Sequence, residues 1–223
     1  CALSDLLEKF FSIYLKNFDN PKILDFGSQS LSDHIGAKVL LDKMNINYEY
    51  TGVDIEKGNN VDIVLEDPYS FKEIPDSAYD VIISTSVFEH VEFFWLTYLE
   101  ILRILKPNGI LYFNVPSNGD FHRWPQDCWR FYPDSGNALI NWAKRNNFNP
   151  ILLESYVSKQ YLECGWNDYV SVTIKDEKFK DKYPKRILDN KKNFTNGRIS
   201  NSSKLINFRE MPQDQDNFGW KIY

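Results

Sequence analysis

Apolar positions along the first half of the chain fall into two alternating rhythms. Leu6, Leu7, Phe10, Phe11, Ile13, Tyr14 and Leu15 lie close to helical spacing behind Ser4, a suitable N-cap, and predict a helix over 3–18. A short apolar burst, Ile23-Leu24, then runs into Asp25-Phe26-Gly27 and a polar Ser-Gln-Ser turn, which predicts a strand over 22–27. Helical spacing returns with Leu31, Ile35, Val39, Leu40 and Met44 over 31–44, and 48–54 (YEYTGVD) reads as a second strand ending in an acid. A third strand over 61–66 stops at Asp67-Pro68, because proline cannot donate to a sheet ladder. The nearly unbroken apolar run 79–85 (YDVIIST) marks a strand covered on both faces. A long helix is expected over 87–105, broken by Lys106-Pro107-Asn108-Gly109, with a fifth strand at 110–115.

Strand and helix in alternation call for a parallel sheet with right-handed crossovers. The later part changes style. Asp134 or Ser135 can cap a helix reaching about Asn146, and two apolar runs follow at 151–157 and 169–174. The link 158–168, which contains Gly165, lets those runs pair as an antiparallel hairpin. Beyond Lys175 the chain is polar and lysine-rich, with no clear period until Trp220. The expected organisation is therefore a domain over 1–175 and a polar extension, 176–223, on or beside it. Lysines in that extension read as a solvated face, or as a local patch guiding an anionic partner.

Composition narrows the class. With 223 residues, 43% of them hydrophobic and 16% aromatic, the chain can bury one substantial core. A formal net charge of -5 argues against a nucleic-acid binder, which would present a net basic face. Cys1, Cys128 and Cys164 show no CxxC spacing, so neither a disulfide framework nor a zinc site is expected, and a reducing cytoplasm fits best. No apolar run has the length of a membrane span, and the start at Cys1 carries no signal-peptide pattern and points to a missing upstream piece.

In an open α/β sheet the chemistry sits at the carboxyl edge of the strands. The first turn has one glycine where a dinucleotide fingerprint needs three; Gln29 and Leu31 stand where the others would be, which argues against NAD or FAD. Asp54 ends the second strand, where a carboxylate can accept from both hydroxyls of a ribose. Asp67 follows the third strand in LEDP, and the fourth ends in Ser84-Thr85-Ser86. With IPDSAYD before that strand and LRILKPNGILYF after it, the succession over 23–115 resembles the class I S-adenosylmethionine-dependent methyltransferases. The remainder through 174 fits that fold's helix and closing hairpin.

The resemblance implies a Rossmann-like α/β fold: a mostly parallel seven-stranded sheet, helices on both faces, and an antiparallel final hairpin. It implies S-adenosylmethionine as cofactor, S-adenosylhomocysteine as product, and no metal. Gly27 would let the backbone approach the amino-acid part of the cofactor, with Asp25 near it, Asp54 on the ribose, Asp67 near the adenine amino group and Ser84 at the sulfonium end. Phe26, Ser28, Ile55, Pro68 and Thr85 complete the implied cofactor side.

Methyl transfer requires alignment of an acceptor and, for a hydroxyl, removal of its proton. His34, His90 and His122 follow the first, fourth and fifth strands. His34 reads as a packing or solvated residue, and His90, in VFEHV, either orients its loop or touches the acceptor. The stretch 114–133 (NVPSNGDFHRWPQDCWRFYP) is the most distinctive: Phe121, Trp124, Trp129, Phe131 and Tyr132 alternate with His122, Arg123, Asp127 and Arg130. Aromatic faces cover sugars or bases, and arginine forks match phosphate or carboxylate. The plainer alternative is an aromatic lid whose arginines pair with Asp120 and Asp127.

HRWPQDCWRFYP is similar to a phrase in methyltransferases of bacterial surface-polysaccharide (capsule or O-antigen) gene clusters. That resemblance implies O-methylation of a sugar, nucleotide-sugar or phosphorylated acceptor. His122 is then the general base, with Asp127 orienting it or acting itself, and His90, Arg123, Trp124, Trp129, Arg130 and Tyr132 face the acceptor. Two alternatives stay open: N- or C-methylation of another molecule or a protein, and a non-catalytic nucleotide-binding module.

Overall fold

The computed structural model describes residues 2–29, 36–159 and 166–210. Leu31, His34, Ile35, Cys1, Cys164, Gly165 and Trp220, each given a reading above, lie outside them. The elements are α1 (Ala2–Tyr14), β1 (Lys22–Phe26), α2 (Ala37–Asp42), β2 (Glu49–Asp54), β3 (Ile63–Val64), β4 (Tyr79–Thr85), α3 (Phe94–Ile104), β5 (Leu105–Pro116), α4 (Ser135–Arg145), β6 (Ile151–Ser158), β7 (Asp168–Ile174) and β8 (Phe194–Ile199). They build one sheet of order β3-β2-β1-β4-β5-β7-β6-β8. The first five strands run parallel, β7 inserts antiparallel between β5 and β6, and β8 pairs antiparallel to β6.

Side chains alternate across this sheet and build a core on each face. Ile23, Val81, Ile83 and Tyr112 join one core with Phe10, Phe11 and Tyr14 of α1. Leu24, Phe26, Ile82 and Phe113 join the other with Tyr98, Ile101 and Leu102 of α3 and Leu139 and Ala143 of α4.

Three expectations change. The sheet has eight strands rather than seven, because 194–199 (FTNGRI) extends it beyond β6. The helix expected over 87–105 divides into a 3₁₀ turn, Phe88–His90, and α3, separated where Val91 turns extended. The Lys106-Pro107-Asn108-Gly109 breaker is absorbed into β5, whose pairing with β4 jumps from Tyr79↔Leu105 to Val81↔Ile110, so the break becomes an irregularity in a strand.

The segment after 175 is anchored by buried Tyr183, Ile187, Leu188 and Phe194 on the α1 face. Glu154 of β6, 1% exposed, ties it down: its carboxylate accepts from Tyr14 Oη at 2.5 Å and from the amides of Ile187 and Leu188 at 2.8 and 2.9 Å. Glu154→Ala would strand three buried donors, so about 2–4 kcal/mol of stability should be lost. Urea unfolding measures the loss, and limited proteolysis should show earlier cleavage within 176–193; an unchanged midpoint would show that the carboxylate anchors nothing.

Candidate functional site

The carboxyl ends of β1, β2, β4 and β5 meet at one edge. Gly27, at φ +81°, closes β1 with its amide on the Val53 carbonyl at 2.8 Å, and a Cβ there would sit 2.1 Å from Val87 Cγ2, so only glycine fits. The Ser28 amide shares the Val53 carbonyl at 3.1 Å, and the Ser28 hydroxyl donates to the Asn60 carbonyl at 3.0 Å. Gln29 stands where a dinucleotide turn would have glycine, and its side chain lies over Gly58 of the β2–β3 loop. Its amide donates to Asp54 Oδ2 at 3.1 Å, while Asp54 Oδ1 accepts from the Ile55 amide at 2.8 Å. Ile55 is exposed.

Asp25 is buried and accepts from Tyr50 Oη at 2.9 Å. Burial pushes its carboxyl up to about 6, against the opposing effect of the Tyr50 hydrogen bond, and the nearby Asp54 adds to the rise. Phe26 turns into the core against Phe71 and Phe88, leaving only its backbone at the edge. Asp67 caps its own turn, with Oδ1 accepting from the Tyr69 amide at 2.8 Å, and the Pro68 carbonyl accepts from Thr97 Oγ1 at 2.7 Å. The Ser84 hydroxyl is fully buried without a partner among the described residues, and Thr85 beside it is half-buried.

Beyond β4, the 3₁₀ turn carrying Glu89 and His90 is latched to the segment after β5. The Glu89 carbonyl accepts from the amides of Cys128 and Trp129 at 2.7 and 3.2 Å, and the His90 carbonyl accepts from Gln126 Nε2 at 2.9 Å. His90 Nδ1 meets the Gln126 carbonyl, which makes Nδ1 the protonated nitrogen and leaves Nε2 with a lone pair. Glu89 Oε1 lies 3.7 Å from that Nε2, and Oε2 is buried with no partner among the described residues. Burial drives the Glu89 carboxyl up to about 8, with Asp168 adding to the rise, and burial lowers the His90 imidazole.

His122 faces the same turn, its ring perpendicular to that of His90 at 5.0 Å and to Trp166 at 4.9 Å. Its amide donates to Asp127 Oδ2 at 2.8 Å, and its Nδ1 lies 3.2 Å from the Asp120 carbonyl and 3.5 Å from Asp127 Oδ2. Arg130 grips both Asp127 oxygens at 2.6 and 2.8 Å and also reaches the Asp120 carbonyl. That fork holds the Asp127 carboxyl down at about 2.

Of the residues singled out in the sequence, His90, His122 and Asp127 thus come together. Arg130 is committed to Asp127, as in the lid alternative. Trp129 donates its indole N–H to the Val91 carbonyl at 3.0 Å and packs on Phe94 and Trp95, and Phe131 is buried between Phe94 and Phe113. Phe121, Trp124, Tyr132 and Arg123 remain exposed. Tyr132 also borders a cleft of about 260 Å³ with Ser117, Asn118, Asn167, Asn196 and Phe208. Sequence reasoning passed over Glu89, although VFEHV displayed it as a lone acid in an apolar run. Asp168, whose burial raises its carboxyl to about 6, and Trp166 carried no signal of their own.

A family model described as a methyltransferase domain matches residues 1–153. No curated protein matches the chain by sequence. Among solved structures, the [4+2]-cyclase SpnF aligns at TM-score 0.57 and 15% identity over 78% of this chain and 80% of its own. The 1,6-didemethyltoxoflavin-N1-methyltransferase of Burkholderia thailandensis, crystallised with 1,6-didemethyltoxoflavin and S-adenosylhomocysteine, aligns at 0.57 and 14% over 79% of each chain. An S-adenosylmethionine-dependent methyltransferase from Archaeoglobus fulgidus aligns at 0.53 and 15% over 76% of this chain and 93% of its own. At these identities the likeness is one of fold.

Proposed function

The chain belongs to the methyltransferase-domain family and has the class I S-adenosylmethionine-dependent fold, and from that premise we propose that it methylates a hydroxyl oxygen of a small sugar- or phosphate-bearing acceptor. Residues at the β1–β2–β4 edge fit the cofactor. Gly27 offers backbone approach that a side chain would block, Asp54 keeps lone pairs beyond its two amide contacts for ribose hydroxyls, and the buried Ser84 hydroxyl lacks a partner. Asp25 places a carboxyl where the ammonium group of the amino-acid part would lie. Exposed Ile55 offers an apolar surface for the adenine, and Asp67 with Pro68 forms the rim beyond it.

S-adenosylmethionine supplies an activated methyl group on a positively charged sulfur. The residues of this chain must then position the acceptor and accept a proton. What carries the oxygen assignment is the Glu89–His90–His122 group, because an imidazole held through Nδ1 presents the Nε2 lone pair as a proton acceptor. His122 is assigned as that base. Asp127, ionised under the Arg130 fork, is too weakly basic to take the proton itself, so its role is to orient His122.

Acceptor class follows from the exposed rim. Phe121, Trp124 and Tyr132 offer aromatic faces to a sugar ring, and Arg123 offers a fork to phosphate or carboxylate. Trp129 and Arg130 act indirectly, by holding the segment on the 3₁₀ turn. The HRWPQDCWRFYP phrase supports a place in bacterial surface-polysaccharide biosynthesis, in the cytoplasm. The catalytic machinery falls within 1–175, braced by the segment that follows.

Calorimetry with S-adenosylmethionine and S-adenosylhomocysteine tests the cofactor side. Wild type should bind both, and Asp54→Ala should weaken both at least about 10-fold, the size expected for losing charged hydrogen bonds. Equal binding by the variant would remove Asp54 from the site. Incubation with nucleotide-sugars and sugar phosphates, read as a mass gain of one methyl and located by fragmentation, tests the acceptor; a methyl on nitrogen or carbon would overturn the oxygen assignment.

A further inference from the structure

Glu89, His90 and His122 come from two segments that are far apart in sequence, yet one donor atom from each lies within 4.8 Å of the others. The Glu89 side chain is 1% exposed, and its Oε2 has no hydrogen-bond partner among the described residues. A buried polar atom without a partner is uncommon in a folded chain and asks for an occupant. Both imidazoles are arranged as metal ligands usually are, with the far ring nitrogen held by a carbonyl or carboxylate. His90 Nδ1 meets the Gln126 carbonyl, and His122 Nδ1 faces the Asp120 carbonyl and Asp127. Each Nε2 is thereby left as a lone-pair donor.

We propose that Glu89, His90 and His122 form a site for a first-row divalent cation of the zinc or manganese type, with an open position for the acceptor's oxygen. Two imidazoles and one carboxylate are a known ligand set for catalytic zinc, which keeps its fourth position free. In a tetrahedral site with bonds of about 2.1 Å the donors stand about 3.4 Å apart. The His90 Nε2 to Glu89 Oε1 separation is already 3.7 Å, and small rotations bring in the third ligand. A cation would also place positive charge beside the Glu89 carboxyl, which feels Asp168 and Asp127 as like charges and Arg130, held on Asp127, as an opposite one.

This inference rests on the acceptor side assigned above and refines one step of it. With the cation bound, both Nε2 atoms are ligands, and the acceptor's hydroxyl, acidified by coordination, releases its proton to solvent. The acceptor oxygen then forms its bond to the methyl carbon as the carbon–sulfur bond breaks, its electron pair leaving with sulfur. His122 acts in that state as a ligand rather than as the base.

The test uses the untagged chain stripped with chelator, titrated with Zn²⁺ and Mn²⁺ by calorimetry and with Co²⁺ by visible absorption. Wild type should take up one equivalent of at least one of these ions. Glu89→Gln and His122→Ala should each weaken uptake at least 10-fold, with circular dichroism checking that they fold. His122, in the loop following β5, provides the variant least able to disturb the core. Absence of uptake by wild type, or uptake unchanged in both folded variants, would overturn the site. Asp54→Ala should keep its metal while losing cofactor affinity, so failure of the cofactor reading and failure of the cation site are read separately.

Discussion

Replacing His122 with alanine is expected to lower turnover about 100-fold or more while leaving affinity for S-adenosylmethionine within about 2-fold of wild type. The size follows from loss of a positioned proton acceptor or ligand, either of which acts on the transition state rather than on cofactor binding. The separation of effects follows from the geometry. Asp54, Gly27 and Ser84 lie at the β1–β2–β4 edge, whereas His122 sits in the segment after β5. The substitution should leave that segment in place: the backbone amide of residue 122 still reaches Asp127, and the Arg130 fork does not use the imidazole. Initial rates with the methylated acceptor, set beside calorimetry for the cofactor, check both halves. Wild-type turnover in the variant would remove His122 from the chemistry. Because the same variant should also lose Zn²⁺, its metal content is measured alongside its rate.

Much of the framework was legible because buried parallel strands leave a plain trace. Ile23-Leu24 and Val81-Ile82-Ile83 are apolar on successive residues, since both faces of the sheet are covered. The acid ending β2 and the single glycine after β1 were legible for a similar reason: each position has a local demand. Gly27 has a positive φ and a neighbour at Cβ distance, conditions a sequence can announce. β8 shows the opposite. Asn196 and Arg198 are buried in it, and Arg198 pairs with Asp134 and the Ser202 carbonyl, so a strand held by polar contacts reads as loop. Hydropathy does not report burial that hydrogen bonds satisfy.

The acceptor side was legible in composition but not in pairing. The aromatic and charged residues of 121–132 were evident, yet their facing depended on contacts with residues some 30 to 40 positions away. Trp129 turns its indole N–H to the Val91 carbonyl while its ring stays exposed, and Arg130 turns to Asp127. Glu89 was overlooked because an acid beside a histidine at the start of an expected helix looks solvated. The shortened α3 instead leaves it in a 3₁₀ turn beneath the Cys128 and Trp129 amides.

Asp25→Asn should raise stability relative to wild type by about 3 kcal/mol more at pH 7.5 than at pH 3. The folded carboxyl titrates at about 6, above the roughly 3.9 of an unfolded aspartate. Below about pH 3 both states hold the proton and the group contributes nothing to the difference. As pH rises from about 3 towards 6 the unfolded chain releases its proton before the buried group does, so wild-type stability falls through that window. Above about 7 the loss is complete, about two pH units at roughly 1.4 kcal/mol each. Asparagine still accepts from Tyr50 Oη but does not titrate, so its curve should stay flat there. Urea unfolding at several pH values gives both curves, and parallel curves would show that Asp25 is not held protonated. The proposed cofactor role accounts for a destabilising acid at this edge. In the proposed site it becomes charged only above its raised pKa, so affinity for the cationic cofactor should tighten as pH rises through about 6. In Asp25→Asn that dependence should vanish and binding at pH 7.5 should weaken, which sets stability and cofactor affinity against each other at one residue.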